Sequence, residues 1–559
     1  MHGMKLSKAQ IILGIICGSC IAIGNAGATG AISIRSGVLW IELFAFSVIA
    51  VCGFVLLQYG VQHHYLCKAH VADDDEIPAS EQMFPSRIRA AVQALPWFQL
   101  TGWSIALSWI VILFCWLPYL VALHPGILYY DTGQQIAQFF GRPAWSHAGI
   151  PVGMIWDHHP WFDTYAFGLF AKLGTVLGSA SQGLFLLCLL QCVTMSLTFA
   201  ISLSYMRQRF SVGAPMCSTM LLFYAVFPLF PILFCTVVKD VFHAVFFLPW
   251  VLMYVESWKS SLSSLKRPFF LVGFFALTVL SGLTTKTGGI ICLLSVGILI
   301  FVKSGLRKRI LAVAFLAAYM AVTSIIIPMA LFPALKIVTT DSSQFFVIPL
   351  QMTARYAKDN PNEATSDQIE AINCFSQVRY QDMASQYRPF ITDPVSGFTI
   401  RNAACTGDYV KAWLQQGITH PSSYINAFVA LEASFFSTDR PAVENPTYMA
   451  NPPYAMTGNQ MDVQLSTSVN ENLLGDIIPT DAYPNTAVKQ LYEGMNHIPV
   501  LNILTYQSFW SWMLPMGLLA LLCSRKVRVH AKETRLWIVF GPYWLSLLSL
   551  YAGSTGFYM

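Results

Sequence analysis

Eleven stretches of this chain are apolar over close to the ~20 residues that a helix needs to cross a bilayer. They lie at about 10–33, 38–60, 103–123, 182–206, 215–236, 241–257, 268–285, 288–303, 310–332, 507–524 and 535–556. Lipid offers no partner to backbone N–H and C=O groups, so such runs resolve into helices that satisfy their own hydrogen bonds. Composition agrees: 55% of residues are hydrophobic, 11% are charged and the mean hydropathy is +0.54, too little charge to solvate a globule of 559 residues. The sequence therefore predicts an all-α polytopic membrane protein embedded in the lipid bilayer. Its net charge of +5 is spread over short connections, which argues against nucleic acid as a partner.

Residues 161–178 are a twelfth candidate span, and their placement decides the side on which every later residue falls. Lys and Arg favour the cytoplasm in short loops. With 161–178 left out, the inner connections carry Lys5 and Lys8; Lys68, Arg87 and Arg89; Arg207 and Arg209; Lys259, Lys266 and Arg267; Lys303, Arg307, Lys308 and Arg309; and Arg525, Lys526, Arg528, Lys532 and Arg535. The short outer connections carry only Arg35, Arg142, Lys172, Lys239 and Lys286. Counting 161–178 as a span would invert this pattern from Arg207 onward. Its own periodicity agrees, with Thr164, Gly168, Lys172 and Thr175 on one stripe and Phe162, Tyr165, Leu169, Leu173 and Val176 on another. The expectation is an amphipathic helix lying at the outer interface.

The chain then divides into a two-helix segment at 1–60, a cytoplasmic linker at 61–98, and a transmembrane core at 99–332 with a first outer loop at 124–181. An extracytoplasmic domain at 333–506 and a C-terminal helix pair at 507–559 complete it. The linker holds Asp73, Asp74, Asp75 and Glu76 followed by Pro78 and Pro85, so the first two helices read as an accessory hairpin. The first run could instead be a signal peptide, but it is long enough to span, and an uncleaved helix is expected. In the long domain, helices are expected near 344–358, 366–374, 405–416 and 421–435, with the Pro-, Asn-, Thr- and Ser-rich stretch 438–484 looping over the surface. Ten of the thirteen cysteines lie in or beside apolar runs and act as small hydrophobes. Cys374 and Cys405 are the two in the long polar region, so a disulfide between them is expected, in an oxidising compartment.

Four polar clusters fall at the outer ends of spans, where ionisable groups need a reason to be. The first, Tyr129 to Gln135, contains Asp131, placed to take a proton from a hydroxyl or to hold a divalent metal; the same residues could simply cap a helix. The second runs from Trp156 to Trp161 and holds Asp157, His158 and His159, natural partners for a metal or a phosphate. Adjacent histidines point different ways, so both are not expected to be ligands. The third pairs Lys239 with Asp240 beside His243, either as a neutralised helix end or with Lys239 on a phosphate and Asp240 on a metal or hydroxyl. The fourth is Lys286 in a Thr-Lys-Thr-Gly-Gly turn, where the lysine and adjacent backbone N–H groups could meet a phosphate, or the lysine could snorkel. All four clusters share one face under the charge-derived topology.

These residues resemble the C-type (GT-C) membrane glycosyltransferases, a class that includes oligosaccharyltransferases, protein O-mannosyltransferases and lipid A aminoarabinose transferases. YYDTGQQ, DHHPWFDT, VVKD and TKTGG look like a bacterial branch of that class, over about residue 97 to the end. The resemblance implies a GT-C-type fold and transfer of a sugar from a polyprenyl-phosphate donor to a cell-envelope glycan, glycolipid or protein, outside the bacterial cytoplasmic membrane. Asp131 and Asp240 would be the catalytic acids of two outer loops. Gln135, Asp157, His158, His159, Lys239 and Lys286 would bind substrate, and Mg or Mn, if used, would sit on Asp131, Asp240 and His159. Lys286 stands where relatives often carry Arg and Asn, and relatives extend beyond Met559, so a shortened C-terminus is expected. The competing classes are a transporter or lipid flippase, and a non-catalytic assembly protein binding through 333–506.

Overall fold

The computed structural model describes residues 7–30, 32–70, 97–128, 130–142, 150–340, 342–397, 399–438, 490, 494, 497–524 and 535–553. The acidic linker, the stretch 438–484 beyond its first residue, and the basic residues Lys5, Arg87, Arg89, Arg525, Lys526, Arg528 and Lys532 lie outside them. The described chain is an assembly of helices. Six are long and apolar enough to cross a membrane: Lys8–Ala28, Gly37–Gly60, Gly102–Ala122, Ala180–Phe210, Lys239–Lys259 and Leu306–Ala334. Ala214–Val226, Pro268–Thr284, Lys286–Leu299 and Phe509–Leu522 are apolar but shorter, and Gly541–Ala552 is a further short helix. The protein is thus a multi-pass membrane protein. The run at 215–236 is not one helix: Ala214–Val226 stops before Pro228, and a short helix Leu229–Phe234 follows. Proline lacks the N–H that would continue the ladder.

Contacts between helix ends give the bundle two distinct ends. At one, Arg209 forms a paired hydrogen bond to Glu256 (2.8 and 3.0 Å) beside Tyr205, and Lys308 donates to Ser261 O and Ser263 Oγ. Tyr254 donates to Ile538 O, and Arg535 to Phe301 O. The other end carries the four polar clusters and the long domain. Two minimal parallel pairings tie this end together: β1 (Ile127–Leu128) with β3 (Thr236–Val237), and β2 (Ile155–Trp156) with β4 (Ile337–Val338). These strands are a departure from a purely helical expectation.

The helix Trp161–Val176 forms as expected, but its faces are used differently. Thr164, Gly168, Ala171 and Gly174 are buried against the protein, whereas Leu169, Leu173 and Val176 are exposed. The small residues allow close approach: a Cβ on Gly183, in the next helix, would lie 1.8 Å from Phe170 O. Lys172 and Thr175 are exposed beyond that contact.

The first two helices are not an accessory. Gly18 lies against the backbone of Phe46 and Ser47, and Cys17, Ile21 and Phe54 share a core with Met516 and Ala520. The second helix also continues to His70, past the expected boundary at 60. The first ends against the long domain, where Gly27 meets Val429 and Asn25 Oδ1 accepts from Ser437 Oγ and Thr438 N.

That domain has its own core of Leu350, Tyr356, Ile372, Phe375, Met383, Tyr387 and Tyr409. It is built from helices Val347–Asp359, Ser366–Phe375, Tyr380–Gln386, Thr406–Thr419 and Pro421–Phe436. Cys374 and Cys405 form a disulfide within it, with a Cα–Cα separation of 6.0 Å.

Candidate functional site

Each short strand hands the chain on to a polar residue, which explains how positions so far apart in sequence meet. β1 leads into the helix Tyr130–Phe139, with Asp131 in its first turn. β3 leads into Lys239–Lys259, starting with Lys239 and Asp240. The Ile127↔Thr236 register, the Ile127 N–H bond to Cys235 O and the 2.6 Å bond from Thr132 Oγ1 to Val237 O hold these two helix starts side by side. β2 leads to Asp157, His158 and His159, and β4 to Thr340. Asp157 N donates to Val338 O at 2.8 Å, and Gln138 Oε1 accepts from Trp156 N. Backbone groups leaving the helical ladder need partners, and the strand pairs supply them.

The centre is a chain of three side chains. Lys239 Nζ lies 3.0 Å from His159 Nδ1 and 3.6 Å from Asp131 Oδ2, and His159 Nε2 lies 3.4 Å from the same carboxylate oxygen. An ammonium can only donate, so His159 Nδ1 accepts and the ring proton sits on Nε2, facing Asp131. Burial and the neighbouring Lys239 depress the basicity of His159 against the pull of Asp131, which agrees with a neutral ring. Burial alone would raise the pKa of Asp131, but His159 and Lys239 outweigh it and hold the carboxyl below the usual range. The side chain of Asp131 is 39% exposed while that of His159 is 8% exposed, so the carboxylate is the open member. It is an ionised carboxylate with an exposed face.

His158 lies alongside, stacked on Trp156 at 4.5 Å and 3.4 Å from Gln344 Nε2. Burial, then the neighbouring His159 and Lys239, push its pKa down to about 3. Lys286 sits in a second cluster. Its ammonium meets Asp157 Oδ2 at 3.2 Å, Asp157 O, and Thr340 Oγ1 at 2.9 Å. Three acceptors match three ammonium hydrogens, so Lys286, the candidate for the donor phosphate, is here a clip across residues 157, 286 and 340. Asp157, likewise expected to bind substrate, is engaged in this clip and with Trp161 N. Burial still holds its carboxyl above the usual range despite Lys286.

Other expected site residues have partners within the protein. Gln135 is buried, donating to Pro160 O and Thr164 Oγ1, so it braces two helices. The glycines after Lys286 are packing devices: a Cβ on Gly288 would lie 2.4 Å from His243 Cε1, and one on Gly289 2.8 Å from the Tyr319 hydroxyl. Gly288 N donates to Thr285 Oγ1, the cap of its own helix. Asp240 is exposed at its helix start and acts on His159 and Asp163 through its charge.

A divalent metal fits this donor set poorly. Among the described residues no three His, Cys, Asp or Glu side chains are grouped to hold an ion, and Asp131 already faces a lysine. Asp131, Asp240 and His159, the candidate ligands if a metal is used, are not among such a group.

Sequence reasoning missed Asp163. It lies in the first turn of Trp161–Val176, with no exposed surface, on the same buried stripe as Phe167, Ala171 and Gly174. A carboxyl at i on a stripe continued at i+4, i+8 and i+11 was the available signal.

No curated protein and no solved structure matches the chain. A family model, described as a family of unknown function (DUF6020), matches residues 9–541, from the first helix to the start of the last. The chain belongs to the DUF6020 family.

Proposed function

We propose that the protein is a glycosyltransferase of the C type, moving a sugar from a polyprenyl-phosphate donor to a cell-envelope acceptor at the outer face of a bacterial cytoplasmic membrane. The observation that carries this reading is the Asp131–His159–Lys239 chain: an open, ionised carboxylate backed by a neutral imidazole and a cation at one end of a membrane bundle. In the step proposed, Asp131 takes the acceptor hydroxyl proton and the oxygen attacks the anomeric carbon. The bond from that carbon to the donor phosphate oxygen breaks, and its electron pair leaves with the lipid phosphate. Lys239 faces the growing phosphate charge, together with the N–H groups that open its helix, where Val238 supplies no side-chain cap. His159 keeps Asp131 oriented through Nε2–H.

This reading includes eleven crossings, a cytoplasmic N-terminus and an extracytoplasmic 333–506 domain. The basic residues gathered at the bundle end opposite Asp131, and a disulfide at the same end as Asp131, support that orientation. Membranes carrying wild-type or Asp131→Asn protein, supplied with lipid-linked sugars and followed by mass spectrometry of envelope glycans and polyprenyl-linked sugars, test it. The expected result is a lipid-linked sugar that accumulates in the variant, with transfer reduced about 10²- to 10⁴-fold. Wild-type transfer by the variant overturns the assignment, and vesicle transport without covalent product would instead identify a transporter or flippase.

A further inference from the structure

Asp163 is a carboxyl in the site's surroundings that the proposed reaction does not use. Its carboxyl is fully buried, and neither oxygen has a hydrogen-bond partner. Its N–H bonds Pro160 O, so it sits one turn along from the residues that carry Asp157 and His159. Burying a charge without a hydrogen bond is costly enough that such a group either loses its charge or draws in the nearest opposite one. The charged side chains acting on it are Asp240 and Lys239, from the helix start packed beside it, and Asp157 from its own lead-in. From the helix Tyr130–Phe139 the neighbour is Gln135, which is uncharged and bonded one residue along at Thr164.

We propose that Asp163 is a positioning residue that acts through Lys239, leaving the ammonium beside Asp131 and His159 only while its own carboxyl is uncharged. The proposal rests on the reading of Asp131 as the base. Burial first, then Asp240, push Asp163 well above the usual carboxylate range; Lys239 opposes them, and Asp157 adds to the rise. A carboxyl with no exposed surface and no hydrogen-bond partner is held in its uncharged form, and Lys239 has Asp131 and His159 as its partners. When Asp163 loses its proton to water in alkali, a bare buried carboxylate is created within electrostatic reach of Lys239, in a medium where opposite charges attract strongly. The ammonium is then drawn inward and Asp131 is left without its cation. Asp163 is thus the proton-dependent stop that sets how far Lys239 reaches toward the open face.

The test uses the full chain in lipid nanodiscs and needs no sugar substrate. Difference infrared spectroscopy during an alkaline titration reads the protonated carboxyl stretch, and ¹³C-dimethylation followed by NMR reads the environment of Lys239, assigned with Lys239→Arg. Wild-type protein should show a protonated carboxyl band at neutral pH that is absent in Asp163→Asn and present in Asp131→Asn. Loss of that band in alkali should coincide with a shift of the Lys239 signal, and the shift should vanish in Asp163→Asn. A band that persists in Asp163→Asn, or a Lys239 signal that titrates identically in both proteins, overturns the proposal. If Asp163→Asn does not fold, Asp163→Glu must move the band and the Lys239 step to a new shared midpoint; separate midpoints refute the coupling. Wild-type sugar transfer by Asp131→Asn would remove the proposed reaction while leaving these spectra to stand or fall on their own.

Discussion

Gly183→Ala is a severe test of how the site is held, because it touches none of the polar residues. The added Cβ would lie 1.8 Å from Phe170 O, 2.7 Å from Gly174 N and 2.8 Å from Phe170 C, all backbone atoms. No rotamer change relieves such a clash. The helix Trp161–Val176 must retreat from Ala180–Phe210 by about 1.5 Å to restore ordinary contact, and overpacking of this kind costs about 1–3 kcal/mol. The retreat is not local, since this helix begins directly after Asp157, His158 and His159, and Asp163 lies in its first turn. A displacement near 1 Å at reacting groups lowers rate by about 10²-fold. The expected outcome is a lower unfolding temperature in nanodiscs together with a loss of transfer of that order. Gly297→Ala is the control, since nothing lies within 4 Å of a Cβ there and alanine favours a helix. A Gly183→Ala protein that unfolds with wild type and transfers sugar at the wild-type rate would refute the claim that this interhelical contact sets the site.

Three further outcomes follow from the same geometry. Because Asp131 is held below the usual carboxylate range by His159 and Lys239, its charge is present above that depressed value and lost only as pH falls through it. Transfer should therefore show no acid limb between pH 7 and about 5, whereas Lys239→Met should bring one in; a pH–rate profile distinguishes them. Cys374→Ser opens a loop closed across 31 residues, which the chain-entropy model values at about 3–4 kcal/mol, so the domain should become protease-sensitive under conditions where wild type is not. Glu256→Gln removes the carboxylate that Arg209 and Tyr205 share at the opposite end; with Arg209 38% exposed, the loss should be only about 1 kcal/mol in thermal unfolding, with transfer unaffected.

What was legible in the sequence was whatever repeats along a helix. Hydropathy located the apolar runs, the 161–178 periodicity marked a separate helix, and helices near 344–358, 366–374, 405–416 and 421–435 have counterparts in the domain. The run at 215–236 was misjudged because mean apolarity outvoted Pro228, whose missing N–H ends the helix. Asp131, His159 and Lys239 were named individually, but their adjacency depends on pairing Ile127 with Thr236, and a two-residue strand carries no alternation to detect. The glycines beside Lys286 were misleading for a different reason: a glycine needed for phosphate contact and one needed for close packing look alike until His243 and Tyr319 are placed against them. Gln135 and Asp163 show the same limit, since which face of a short polar helix is buried is decided by its neighbours.

The two strand pairs explain why the polar groups collect at a single level of the bundle. A membrane helix satisfies its own backbone until it ends, and the first N–H groups of the next helix then need partners that hydrocarbon cannot provide. Here the chain leaves one helix, pairs for two residues with another departing segment, and enters the next helix at once: β3 ends at Val237, and Lys239–Lys259 begins two residues later. That arrangement gathers positive helix starts, at Tyr130, Trp161 and Lys239, around one cluster. Their dipoles favour negative charge in front of them, which stabilises Asp131 as a carboxylate and would equally attract an anionic headgroup. The same backbone economy that closes the ends of the helices therefore creates the electrostatic setting in which a partly exposed carboxylate can remain ionised.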